Sequence, residues 1–315
     1  MSTLPVFYYP STIMWVDDDS LFLNAASQMF GKEYSIQTFN HPKDCIHFFE
    51  KYTPPLSKIP FLRGSVENEY YDTVDHSPVD FNVTRLYQLH QQPERNQEIS
   101  VIVVDYGMPE MNGIELCREL RKFPMKKILL TGEADHRDAV AAFNDNTIDR
   151  FVRKDSASLA GDIELYVSTL SLQYFRERTL TLLSHLEVAQ GTPLSDPTFV
   201  GFFQDYCRMN NIREYSLIDK VGSFLLINKD NQHSFLILHT DNSLNTFVEL
   251  HDDVKEAEPI LNEIKQRKKI PFFGVGKESW KFKIAEWSKH LYSPQVFEGR
   301  EKYYWTCIKA SEVMN

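Results

Sequence analysis

One stretch constrains this chain more than any other: Val101-Ile-Val-Val-Asp-Tyr-Gly-Met-Pro-Glu-Met-Asn-Gly113. The β-branched run Val101 to Val104 predicts a fully buried strand of a parallel sheet. It delivers Asp105 to the strand's carboxyl end, where open α/β sheets place their crevice. Gly107, Pro109 and Gly113 then punctuate a loop, and Ile114 to Leu120 restarts as a helix. A second acidic cluster, Asp17-Asp18-Asp19, also ends an apolar run, Ile13 to Val16. One aspartate at a strand end means little, but acids at two strand ends call for a physical reason.

The rest of the first half fits the same frame. Residues 12–18 read as a strand, and Asp19-Ser20 can cap the following helix. Tyr34 to Phe39 is a second strand, and Pro42 opens a helix running to Lys51. Lys127 to Thr131 is a fourth strand, followed by a helix over Arg137 to Asn144. Arg150 to Arg153 is the fifth, ending at Lys154. Strands alternating with helices predict a doubly wound, five-stranded parallel sheet.

That order brings Asp17 and Asp18, Asp105, Thr131 and Lys154 to the same edge of the sheet. Three carboxylates in one crevice repel, and a hard divalent cation such as Mg²⁺ relieves the repulsion while taking oxygen ligands. A carboxylate beside such a cation can act as a nucleophile toward a phosphoryl donor. A hydroxyl and an ammonium would then hold the phosphoryl oxygens.

Composition narrows the class. The 315 residues suffice for two domains with separate cores, and 25% charged residues with 42% hydrophobic ones match a soluble globular protein. No apolar run reaches membrane-spanning length, and the N-terminus lacks the pattern of a secretory signal. Cys45, Cys117, Cys207 and Cys307 are widely spaced, which suits reduced core thiols of a cytoplasmic protein. A net charge of −10, with neither half basic, argues against a surface that coats nucleic acid.

The motifs VDDD (Val16–Asp19), DYGMPEMNG (Asp105–Gly113), LLTG (Leu129–Gly132) and FVRK (Phe151–Lys154) occur in this order. As a set they resemble the CheY-like receiver domain of two-component response regulators, a flavodoxin-like fold, over residues 12–156. The resemblance implies that Asp105 is the phospho-acceptor. It also implies that Asp18 is the direct Mg²⁺ ligand, with Asp17 acting through water and the Gly107 carbonyl completing the protein ligands. Thr131 would hydrogen-bond the phosphoryl group and Lys154 would pair with it. Phe151 sits at the family's aromatic switch position, where a Phe can act only sterically. A sensor histidine kinase or a phosphotransfer protein would supply the phosphoryl group, and a homodimer through the receiver is the expected assembly.

Three departures stand out. Asp155 follows Lys154 where the family usually has Pro, and Gly132 follows Thr131 where Ala or Ser is usual. The interval from Asp18 to Asp105 is roughly twice the family habit. The excess, about residues 53–98, carries Pro54-Pro55, several aromatics and a helical pattern from Phe81 to Gln91. It reads either as a packed decoration or as a docking surface for a kinase or partner. The sequence thus divides into a receiver (1–156), a long connecting helix (157–191) and an output domain (192–315).

The connecting segment repeats Leu159, Ile163, Val167, Leu170 and Tyr174 at helical spacing, with a second apolar face through Leu172, Phe175 and Leu182. Two faces suit contact with two bodies, either a second protomer or the rest of this chain. Past Gly191, Asp196 caps and Pro197 opens another helix. Residues 214–219, 223–228 and 234–240 read as strands, Leu244 to Lys269 as helical with a break near Pro259, and Phe272-Phe273 and Tyr303–Lys309 as short strands. This predicts an α+β domain with an antiparallel sheet. Its chemistry is thin. Gly274-Val-Gly-Lys-Glu-Ser279 lacks the spacing of a phosphate loop. His251-Asp252-Asp253 has no partner cluster, and Lys265-Gln-Arg-Lys-Lys269 suits a helix end. An output domain that binds or hydrolyses a nucleotide, and direct DNA binding, remain alternatives. The segment LIDKVGSFLLINKDNQHSFLIL with KIPFFG resembles the output domain of a small group of regulators that includes a quorum-sensing response regulator.

Overall fold

The computed structural model describes residues 3–58, 84–132, 136–185 and 193–313. It divides into two compact units, Pro10–Val74 with Gln92–Arg178, and Met1–Tyr9 with Asp75–Gln91 and Thr179–Asn315.

The chain opens with a two-residue strand, β1 (Phe7–Tyr8), whose partner lies some two hundred residues on in the second unit. Next come β2 (Thr12–Val16), β3 (Ser35–Phe39), β4 (Ile99–Asp105), β5 (Lys126–Thr131) and β6 (Arg150–Arg153). All four pairings among these five are parallel, in the order β3-β2-β4-β5-β6. This is the doubly wound, five-stranded parallel sheet that the alternating sequence pattern predicts. Every residue of β2, β4 and β5 is buried, and their middles, IMWV, VIVV and ILL, read as unbroken apolar runs. The two faces carry separate cores. Met14, Val16, Ile102, Val104 and Leu129 pack on one side, and Ile13, Trp15, Val101, Val103, Ile128 and Leu130 on the other.

Helix starts follow the capping rules. Asp19 accepts from the N–H groups of Leu21 and Phe22 at the head of Ser20–Phe30. Asn112 and Glu115 form a reciprocal box at the head of Gly113–Glu119. The long helix, Leu159–His185, buries Ile163, Val167, Leu170, Tyr174 and Phe175. In the stretch 53–98, a turn of helix at Thr84–Tyr87 and a 3₁₀ turn at Gln88–Gln91 carry the helical pattern expected there. Residues 81–83 of that expectation lie outside the described residues.

The second unit contains β7 (Ile212–Leu217), β8 (Phe224–Asn228), β9 (His233–Thr240), β10 (Ile270–Pro271), β11 (Leu291–Tyr292), β12 (Gln295–Glu298) and β13 (Lys302–Lys309). Its main sheet is antiparallel, in the order β1-β7-β8-β9-β13-β12. The antiparallel α+β expectation therefore holds, while several of its elements differ. The helical span expected over Leu244 to Lys269, with a break near Pro259, is two helices, Asp241–Glu249 and Glu258–Lys265; Pro259 stands in the first turn of the second, so the break falls near its expected place and only the outer bounds differ. The strand expected at Phe272-Phe273 lies two residues earlier, because it is Ile270 and Pro271 that pair with Tyr292 and Leu291. Strands β1, β11 and β12 have no counterpart in the sequence reading. Tyr87, from the stretch 53–98, packs against Phe235 of this unit at a centroid distance of 6.3 Å.

Candidate functional site

Four strand ends build the site. β2 stops at Val16, and the Asp17 N–H donates to the Phe39 carbonyl (3.1 Å), holding Asp17 at the lip of the sheet. Asp17 Oδ1 in turn accepts the N–H of Asp19 (2.9 Å), while Oδ2 faces the crevice and Lys154. Asp18 is exposed. β4 ends at Asp105. The Tyr106 N–H donates to Leu130 (2.9 Å) and the Gly113 N–H returns to the Tyr106 carbonyl (3.0 Å), so the loop folds back on its own strand. A Cβ at Gly113 would strike the Asp105 carbonyl oxygen, so only glycine fits that return. The Tyr106 hydroxyl donates to Asp138 Oδ2 (2.8 Å).

Asp17, Asp18 and Asp105 each offer a carboxylate oxygen, and the three lie within 4.8 Å of one another. Among the described residues this is the one group of three or more acidic, His or Cys side chains so placed. Asp17 and Asp105 are 1% and 7% exposed. Lys154, reaching in from the end of β6, sets its Nζ 2.7 Å from Asp17 Oδ2 and 2.8 Å from Asp105 Oδ1. Burial pushes the Asp17 pKa up; the bonds to Lys154 and to the Asp19 N–H oppose it without cancelling it, and Asp105 adds to the rise. Burial works against the Lys154 ammonium, but its hydrogen bonds to Asp105 and Asp17 prevail and hold its pKa above the ordinary value. One lysine therefore serves an acidic group that it does not neutralise. Hard oxygen donors, clustered and short of positive charge, fit a divalent cation of the Mg²⁺ or Ca²⁺ kind.

Thr131 ends β5, one residue past Leu130, the register partner of Asp105. It is fully buried, and its Oγ1 has no hydrogen-bond partner. An orphaned hydroxyl in such a place calls for an explanation. Gly107 follows β4, and a Cβ there would stand 3.7 Å from Asp105 Oδ2. Phe151 pairs with Leu129 in register, one strand over, and meets Phe143 edge-on at 6.4 Å. The structure thus gathers Asp17, Asp18, Asp105 and Lys154 into one cluster. It brings Thr131 and Gly107 alongside Asp105 along strand and loop, and sets Phe151 on β6 beside Phe143. One contact escaped the sequence reading: the Phe22 ring lies 4.9 Å from Lys154 Nζ. Its only trace in the sequence is an aromatic four positions after Asp18.

The second unit's suggestive motifs are used internally. His251 engages the Phe247 carbonyl through Nδ1 (2.6 Å) and Ser279 Oγ through Nε2 (2.7 Å). The loop that mimics a phosphate cradle thus has its serine tied to a histidine. Arg267 pairs with Asp241 at 2.7 Å and Lys265 with Asp252 at 3.6 Å, so part of the basic run is already matched by acids. Among the described residues no helix is long and apolar enough to cross a membrane.

Comparison with known proteins agrees with this geometry. The family model for the response regulator receiver domain matches residues 79–160, and the chain carries such a domain. Over nearly its whole length the chain is similar to the response regulator LqsR of Legionella pneumophila. The two share 29% identity, with 97% of this chain and 89% of that one covered, at a TM-score of 0.75. Shorter matches include an adenylate cyclase of Rhodopirellula baltica (18% identity, 58% and 99% covered, TM-score 0.38) and a receiver domain protein of Clostridium thermocellum (18%, 55% and 98%, TM-score 0.34). No curated protein matches the chain in sequence.

Proposed function

We propose that this protein is a phosphorylation-controlled response regulator in which Asp105 is the phospho-acceptor. The observation that carries the reading is the bridge of Lys154 to Asp17 and Asp105 beside a third carboxylate, Asp18. Asp17, Asp18 and Asp105, with the Gly107 carbonyl, would hold Mg²⁺. When bound, the cation offsets the charge of the carboxylates and of the phosphoryl oxygens.

In the transfer, an Asp105 carboxylate oxygen forms a bond to the phosphorus of a phosphohistidine on a sensor kinase or phosphotransfer protein. The P–N bond breaks, its electron pair stays on the imidazole, and that ring takes up a proton. Lys154 shifts from the Asp105 carboxylate to a phosphoryl oxygen while keeping Asp17. The Thr131 hydroxyl, unpartnered and buried, donates to another phosphoryl oxygen. Drawing Thr131 inward tugs β5, and the half-buried Phe151 on the neighbouring β6 responds sterically, which alters receiver contacts and favours a homodimer. The output is a protein contact or gene regulation in the cytoplasm. By its likeness to quorum-sensing regulators, the pathway served is a cell-density response.

Incubation with a small phosphodonor such as acetyl phosphate, with and without Mg²⁺, tests this. Wild type takes up label only with the cation, and Asp105→Asn takes up none. Label that survives in Asp105→Asn overturns the acceptor assignment.

A further inference from the structure

The phosphate-site lysine does not stand on carboxylates alone. Its Nζ lies 4.9 Å from the centroid of Phe22, within cation–π range. The ring sits in the first turn of the helix that Asp19 caps. Behind it stands Trp15, tilted against Phe22 at 6.1 Å and stacked on Phe30 at 5.4 Å. Trp15 is 1% exposed, and its indole N–H has no partner, so ring packing rather than hydrogen bonding fixes it. It belongs to β2, two residues before Asp17 and on the same face by strand alternation. The same short segment therefore delivers both a carboxylate and an aromatic support to Lys154.

We infer that Phe22, backed by Trp15, is a positioning residue for Lys154: it holds the ammonium at the mouth of the crevice while the anionic partner changes. This rests on the reading of Asp105 as acceptor. A hydrogen bond to Asp105 Oδ1 is directional and must be given up when that carboxylate becomes an acyl phosphate. Attraction to a ring face is broad, so it survives a shift of the ammonium by an ångström or so. The ring also covers one side of a side chain that is still 31% exposed, keeping water from competing there for the ammonium. Phe22 touches no phosphoryl oxygen; it acts through Lys154.

The test uses the full chain and beryllofluoride, which mimics the acyl phosphate without transfer chemistry. Wild type, Phe22→Leu, Phe22→Trp and a protein with ring-fluorinated phenylalanine at position 22 are titrated with beryllofluoride at saturating Mg²⁺, and separately with Mg²⁺ alone. Phe22→Leu should weaken beryllofluoride binding about threefold to tenfold, fluorination should weaken it without changing shape, and Phe22→Trp should keep or improve it. Mg²⁺ binding alone should stay within about twofold throughout, because the carboxylates are untouched. Equal beryllofluoride affinity in the wild-type, leucine and fluorinated proteins overturns the inference while leaving the acceptor reading intact. So does a parallel loss of Mg²⁺ and beryllofluoride binding in Phe22→Leu with fluorination silent, which would make the ring a space-filler. A wild-type chain that binds no beryllofluoride overturns the acceptor reading, and this inference with it.

Discussion

Asp196 and Asp105 are both buried aspartates, and their surroundings could hardly differ more. Asp196, in the antiparallel unit, accepts from the Thr198 N–H (2.9 Å), the Arg300 N–H (2.7 Å) and the Tyr303 hydroxyl (2.8 Å). Burial works against its charge, but these donors win and hold its pKa below the ordinary carboxylate range. Asp219 is treated likewise, taking the N–H groups of Val221, Gly222 and Ser223 on one oxygen. In the parallel unit, Asp105 and Asp17 share one lysine, with Asp18 close by. A carboxylate surrounded by backbone donors fastens a fold. Carboxylates crowded together and short of donors are poised to take a cation or a new covalent partner.

Substituting each aspartate sharpens that contrast, because stability and function should separate. Asp196→Ala removes a helix cap and strands the Tyr303 hydroxyl and the Arg300 N–H. It should cost about 3 kcal/mol of unfolding free energy, measured by urea titration, without touching phosphodonor labelling in the fraction that stays folded. Asp105→Asn should do the reverse: label is lost, yet stability changes by no more than about 1 kcal/mol, since Lys154 keeps Asp17 and one repulsive charge disappears. A large destabilisation in Asp105→Asn would place that residue in the same structural class as Asp196 and break the comparison.

A smaller effect is expected at the other end of β4. Glu98, immediately before β4, is fully buried; it accepts the Leu56 N–H at 2.8 Å and the Tyr174 hydroxyl from the long helix. Ser100 Oγ links Ser11 (2.6 Å) to Ser171 (2.8 Å) one step further along. Tyr174→Phe leaves a buried carboxylate short of a donor and should cost about 1–2 kcal/mol. A neutral result would mean that the apolar side of the helix, not this polar seam, holds it to the sheet.

What was legible in the sequence follows from the same physics. The receiver sheet could be read because strands buried on both faces leave apolar runs such as VIVV and ILL, and because the motifs VDDD, DYGMPEMNG, LLTG and FVRK end those runs in the order of a receiver domain. Lys154, Asp17, Asp18 and Asp105 were found together for that reason. The antiparallel unit hid more. β1 is two residues long and its partner in β7 lies far down the chain, so no local pattern announces it. β12 is an edge strand with three of its four residues exposed, and its Gln-Val-Phe-Glu carries little alternation. The break within Leu244 to Lys269 was expected near Pro259, yet the first helix already stops at Glu249; Leu250, which resembles a core residue by type, is exposed at 70% there. Phe22 was missed because a cation–π contact links residues 132 apart (154 − 22) through topology alone.

Acidity offers the gentlest way to set the two units against each other, through signs rather than size. Burial raises the Glu98 pKa; the bonds from Tyr174 and Leu56 and the nearby Arg178 charge oppose it without reversing it. The folded parallel unit therefore holds a proton that the unfolded chain has released. Its Glu98 contribution is fully present below the ordinary glutamate value and fades as pH rises from there through the raised folded value. In the antiparallel unit burial lowers the pKa of His239, against the partial opposition of its bond to the Pro271 carbonyl, and lowers that of His290 as well. There the unfolded chain binds the extra proton. That contribution is complete above the ordinary histidine value of 6.5 and is lost as pH falls from it toward the folded value. Thermal unfolding followed by hydrogen exchange, unit by unit, from pH 7.5 down to pH 5, should show the antiparallel unit losing protection first as the solution turns acid. Substituting His239→Gln, which keeps hydrogen-bonding capacity without titrating, should flatten that decline. A decline of the same slope in His239→Gln would assign the acid sensitivity to groups other than His239.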